Sequence, residues 1–119
     1  MRKVFKVSEA KLSPVPPPRT GSVKWLINRD TVGVKDLPAG LAVLIYQPGE
    51  KTDLHSNPST TEILFVLRGQ ARITIDGESY EVESDTAVYL PSGSTHSIQN
   101  IGDDELQYLF VSCPAAGSR

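Results

Sequence analysis

From residue 22 onward the sequence keeps breaking into short strand-forming runs, and no window of helical length carries an apolar stripe with a helical period. The runs are KWLIN (24–28), LAVLIY (41–46), EILFVLRG (62–69), ARITI (71–75), SYEV (79–82), TAVYL (86–90), HSIQN (96–100) and LQYLFVSC (106–113). They are rich in β-branched and aromatic residues, which suit a pleated, half-buried surface. The segments between them, LPAG, QPGE, PSGS and IGDD, are turn-forming. Asp76-Gly77 joins two alternating runs and predicts a two-residue hairpin with positive φ at both positions. So many short strands at this spacing predict an all-β fold, either a closed barrel or a double-sheet sandwich, because both limit exposed sheet edges.

The N-terminal part reads differently. VFKV (4–7) alternates like a strand, and KLSPVPPPRTG (11–21) reads as an extended, polyproline-like connector. The expected organisation is therefore an N-terminal strand with a Pro-rich arm over 1–21, followed by a single domain over 22–119. A strand on such a tether can pair with a neighbouring chain, which hints at a homodimer. A length of 119 residues suits one core. The net charge of −2 and the scattered basic residues argue against nucleic acid as a partner and against an anionic membrane surface. No apolar run approaches the roughly 20 residues of a membrane helix, and MRKVFKVSEA lacks the apolar centre of a secretory signal. Cys113 is the single cysteine, which excludes an internal disulfide and fits a reducing, cytoplasmic setting.

The chemistry-bearing residues are sparse. The chain has two histidines, and one lies in DLHSNPSTTE (53–62) ahead of Glu62, which opens the most apolar strand. Residues two apart on a strand share a face, so Glu62, Leu64 and Val66 go together, as do His96, Ile98 and Asn100. An inward carboxylate at the head of such a strand is costly unless its charge is offset. Arg68 shares parity with Glu62 and is a candidate for holding a substrate carboxylate, while Tyr46 and Tyr108 are candidate cavity residues. Trp25, Phe65, Tyr89 and Phe110 read as core or interface.

The pattern from Gly49 to Asn100 resembles the cupin superfamily. The family's first motif is G-x5-H-x-H-x3-4-E-x6-G; here Gly49, His55, Asn57, Glu62 and Gly69 hold its spacing, with Asn57 in place of the second histidine. The second motif, G-x5-P-x-G-x2-H-x3-N, is held by Asp85, Pro91, Gly93, His96 and Asn100, with Asp85 in place of the opening glycine. The resemblance implies a jelly-roll barrel with one divalent metal ion inside. Carried over, the ligands are His55, Glu62 and His96, with Asn57 as a weak neutral donor in the fourth position. Two imidazoles and a carboxylate suit Fe or Mn, with Ni or Zn as alternatives. Asp53 is expected to orient His55 from behind.

The resemblance implies an enzyme acting on a small oxygen-rich or carboxylate-bearing molecule. A dioxygenase-like reaction is preferred on ligand composition, and decarboxylase, isomerase and cyclase chemistry remain open; Glu62 is the candidate catalytic base. The competing expectation is a non-catalytic cupin that binds a sugar or organic acid.

Overall fold

The computed structural model describes residues 2–17 and 19–115. The strand-forming runs become β1 (Leu12–Pro14), β2 (Ser22–Ile27), β3 (Gly40–Tyr46), β4 (Thr60–Arg68), β5 (Gln70–Ile75), β6 (Glu78–Glu83), β7 (Thr86–Leu90), β8 (His96–Asn100) and β9 (Leu106–Pro114). They form two antiparallel sheets, one in the order β1-β2-β3-β9-β4-β7 and the other in the order β6-β5-β8. The chain is all-β with a double-sheet architecture, as the periodicity predicts. Asp76 and Gly77 have φ of 47° and 85°, the geometry that a two-residue β5–β6 hairpin requires.

The core lies between the sheets. On β4, Glu62, Leu64 and Val66 are buried while Ile63, Phe65 and Leu67 face out, the alternation a half-buried strand imposes. From the facing sheet, Ile73 and Ile98 pack against the same cluster as Leu64, Val66 and Leu106. Each such side chain contributes roughly 1.5–3 kcal/mol through apolar burial. The second sheet is continued irregularly by residues 49–55, which run antiparallel to β8. Gly49 N donates to Asn100 O, Thr52 N to Ile98 O, and His55 and His96 exchange both backbone hydrogen bonds.

The N-terminal part departs from the expectation. Residues 4–6 form no strand and Val7–Glu9 is a 3-10 turn; the strand here is β1, inside the Pro-rich segment. The prolines begin only at Pro14, and β1 pairs with β2 of its own chain, with Ser13 opposite Val23. One helical turn, α1 (Arg29–Val32), was not anticipated. Asn28 Oδ1 accepts from Thr31 N while Thr31 Oγ1 accepts from Asn28 N, a reciprocal cap that holds a turn too short to show a period.

Candidate metal centre

The two histidines meet because the chain pairs them as opposite residues. His55 N donates to His96 O at 3.0 Å and His96 N to His55 O at 2.8 Å, so their side chains share a face. The ring centroids lie 4.3 Å apart. Glu62 approaches from β4 in the other sheet, and its Oε1 lies 3.2 Å from His96 Nε2, with both side chains about nine-tenths buried. The three lie at one end of a cavity between the sheets. Among the described residues no group of three or more His, Cys, Asp or Glu side chains is placed to hold a metal ion as it stands. The donors form an open set instead, with His96 against Glu62 and His55 against His96.

Each imidazole is oriented from behind by the backbone. His55 Nδ1 lies 2.7 Å from the Asp53 carbonyl, which only accepts, so Nδ1 carries the proton and Nε2 keeps its lone pair. Burial holds the His55 pKa below its usual value, although the Asp53 hydrogen bond opposes the shift, and the ring is neutral at neutral pH. His96 Nδ1 faces the Ser94 carbonyl at 3.4 Å. His96 is thus flanked by acceptor oxygens at both ring nitrogens, whereas a neutral imidazole has a single N–H. Two imidazoles, each backed by a carbonyl, and one carboxylate are donors of the right chemistry for a divalent transition metal.

The other residues singled out in the sequence are dispersed. Asn57 is exposed and absent from the cavity wall, because its Oδ1 accepts from Ser59 N at 3.1 Å, an Asx turn ahead of β4. Asp53 orients His55, but through its carbonyl; its side chain is exposed outside the cavity. Arg68 also lies outside it. The register between β4 and β9 slips between Val66 and Arg68, so parity with Glu62 is lost and the guanidinium pairs with Asp104 at 3.1 Å. Tyr46 and Tyr108 do line the cavity, packed edge to face at 5.7 Å, and burial pushes both phenols above the usual tyrosine pKa.

Sequence reasoning missed Trp25, Phe110 and Arg19. Trp25 and Phe110, read as core or interface, form a T-shaped pair at 6.3 Å in the cavity wall. Their parity with Val23 and Tyr108 could have placed them there. Arg19 comes from the Pro-rich segment, which has no strand register to read.

The family model for the cupin domain matches residues 42–112. Polyketide synthase CurC of Streptomyces cyaneus is 31% identical over 98 residues, 82% of this chain and 62% of its own, so the chain spans less than two thirds of that relative. An uncharacterized protein of Methanocaldococcus jannaschii is 30% identical over 112 residues, 94% of this chain and 88% of its own. The crystal structure of a predicted oxalate decarboxylase from Thermotoga maritima superposes with a TM-score of 0.83 over 94% of this chain and 99% of that one. At 23% identity, that likeness bears on the fold alone.

Proposed function

The chain belongs to the cupin family, and from that premise we propose that it is a metal-dependent enzyme holding one divalent ion through His55, Glu62 and His96. The substrate is a small organic molecule bound in the cavity beside them. One observation carries the reading: His96 sits buried between two acceptor oxygens, at Ser94 and Glu62, with a second imidazole against it. Cupins commonly bind metal ions.

When bound, the ion supplies Lewis acidity and, if it is iron, redox chemistry with dioxygen. The chain supplies the rest. The carbonyls of Asp53 and Ser94 fix the two rings so that each turns Nε2 away from the backbone. Glu62 is the one carboxylate among the described residues of the cavity wall, so it is the group that would take up or return a proton there once substrate displaces it from the ion. The surrounding aromatic and aliphatic wall lowers the local dielectric and so sharpens these electrostatic contacts. A set of two histidines and one carboxylate is that of non-haem iron oxygenases, which supports a dioxygenase-like reaction. Decarboxylation, isomerisation and cyclisation use the same parts. The molecule acts as a homodimer, paired through the outer face of β4, β7 and β9.

The test is elemental analysis of protein purified without a tag or added metal, beside His96→Ala. Close to one Fe or Mn per chain, falling at least tenfold in the variant, is the expected result. Wild-type protein that carries no metal and takes up none from Fe(II), Mn(II), Ni(II) or Zn(II) would overturn the metalloenzyme reading and leave a small-molecule binding module.

A further inference from the structure

The cavity's composition is lopsided. Its polar end is His55, Glu62 and His96, and most of the remaining wall is apolar, with Trp25, Tyr46, Tyr108 and Phe110 supplying aromatic surface. Its volume is about 210 Å³. A dry apolar cavity of about 150 Å³ takes up benzene, so this one has room for a one- or two-ring molecule with small substituents. Oxalate and sugars suit it poorly, since neither has apolar surface to set against the aromatic wall, and their many polar atoms would lose water without enough partners.

Arg19 is the one positively charged side chain among the described residues of the wall, leaving aside the histidines. Elsewhere Arg2, Arg68 and Arg72 pair with carboxylates and Arg29 donates to the Leu37 carbonyl. Among the described residues, Arg19 has no ion pair within 4.0 Å. Its charge nevertheless acts on His55, Tyr46 and Tyr108.

The loop that carries Arg19 is tied down. It closes on itself through Val15 N to Gly21 O at 3.0 Å. Thr20 Oγ1 donates to Lys51 O at 2.9 Å and accepts from Lys51 N at 3.0 Å. Gly21 N donates to Glu50 Oε2 at 3.2 Å. Gly21, with φ of 94°, lies so close to Tyr46 that a Cβ there would be 2.4 Å from the ring. Pro16 and Pro17 restrict the chain ahead of Arg19. The guanidinium is thus carried on a segment tied at Val15 and at Thr20–Gly21, in the cavity wall, with no hydrogen-bond or ion-pair partner among the described residues.

We propose that the Val15–Gly21 loop is the ligand-selecting element of this site and Arg19 its anion-binding side chain, which makes the ligand a one- or two-ring aromatic acid or phenolate. The aromatic body lies against Trp25, Phe110 and the two tyrosines, and the anionic oxygen pairs with Arg19. This rests on the cavity being the ligand site, as proposed above, and does not require the metal.

The experiment titrates 2-naphthoate, its neutral isostere 2-naphthamide, and oxalate into the full chain by calorimetry. Wild type, Arg19→Gln and Arg19→Lys are compared, each metal-free and after loading with Fe(II) or Mn(II). The expected result is that 2-naphthoate binds wild type more tightly than oxalate does in the metal-free protein. R19Q weakens 2-naphthoate about tenfold, the loss of a charge-assisted contact, and moves 2-naphthamide less than twofold. R19K recovers part of the loss. Absence of binding by both naphthyl probes, tighter binding of oxalate in the metal-free protein, or an equal loss for acid and amide in R19Q would each overturn the proposal. Metal content measured on the same samples separates the two ideas. Selectivity through Arg19 in protein that never takes up metal sinks the metalloenzyme reading alone, and metal uptake without aromatic selectivity sinks this one alone.

Discussion

Asn100 does as much for the fold as any residue near the site, and it touches no candidate ligand. It is 1% exposed. Its Nδ2 donates to the carbonyls of Tyr46 and Asp104, both at 2.9 Å, and its Oδ1 accepts from Gly102 N at 2.9 Å. The side chain therefore ties the end of β3 to the β8–β9 turn. Asn100→Ala leaves two carbonyls and an amide without their partner, and is expected to destabilise the protein by about 2–4 kcal/mol. Asn100→Asp keeps the Oδ1 acceptor but sets a carboxylate against two carbonyl oxygens, so it should lose at least as much. Thermal melts followed by circular dichroism read both; a shift of under about 2 °C in Asn100→Ala would show that the network is dispensable. Asn100 was legible in the sequence because it ends a regular strand, where parity with His96 and Ile98 puts it inside. Parity misplaced Arg68, where a register slip cancels the two-residue period, and the motif position misplaced Asn57, whose side chain is held in an Asx turn.

At the scale of elements, the contrast lies between β2–β9 and the segment before them. Each of those strands shows in the sequence because burial on one face enforces alternation, and turn chemistry marks its ends. Even the departure at Asp85 has a local reason: its φ is 63°, a conformation that glycine takes freely and Asp tolerates better than most residues. The Val15–Gly21 loop has no such code. Its position depends on hydrogen bonds to Glu50 and Lys51 and on close contact with Tyr46, all of which are long-range. That is why the sequence suggested a detached arm where the structure has a piece of cavity wall. Gly21→Ala tests the placement, since the new methyl group meets the Tyr46 ring while the backbone is held at positive φ. A loss of about 1–3 kcal/mol is expected. The fluorescence of Trp25, the chain's single tryptophan and part of the same wall, should change with it. A variant matching wild type in both stability and emission would mean that the loop does not rest on Tyr46.

At the scale of the whole molecule, the two faces of the larger sheet differ in kind. The inner face carries the cavity and core, while the outer face presents Ile63, Phe65, Leu67 and Tyr89 with 43%, 37%, 41% and 62% of their surfaces exposed. Strand register places Ile63 beside both Tyr89 and Val111, and Phe65 beside Ala87 and Leu109, so these outward residues form one continuous patch. None of the residues named in it is acidic or basic. An isologous dimer brings a patch against its own copy, which penalises like charges and favours an uncharged apolar surface of this kind. β1 pairs within its own chain, so the homodimer proposed here relies on this face rather than on strand exchange through the arm. Sedimentation equilibrium is expected to give about twice 12.9 kDa for the full chain, and Phe65→Glu is expected to return it to the monomer mass. Because Phe65 points away from the cavity, the variant should keep its β-sheet circular dichroism and its metal content. A wild-type chain that sediments as a monomer at micromolar concentration, or a Phe65→Glu variant that stays dimeric, would remove this face as the interface.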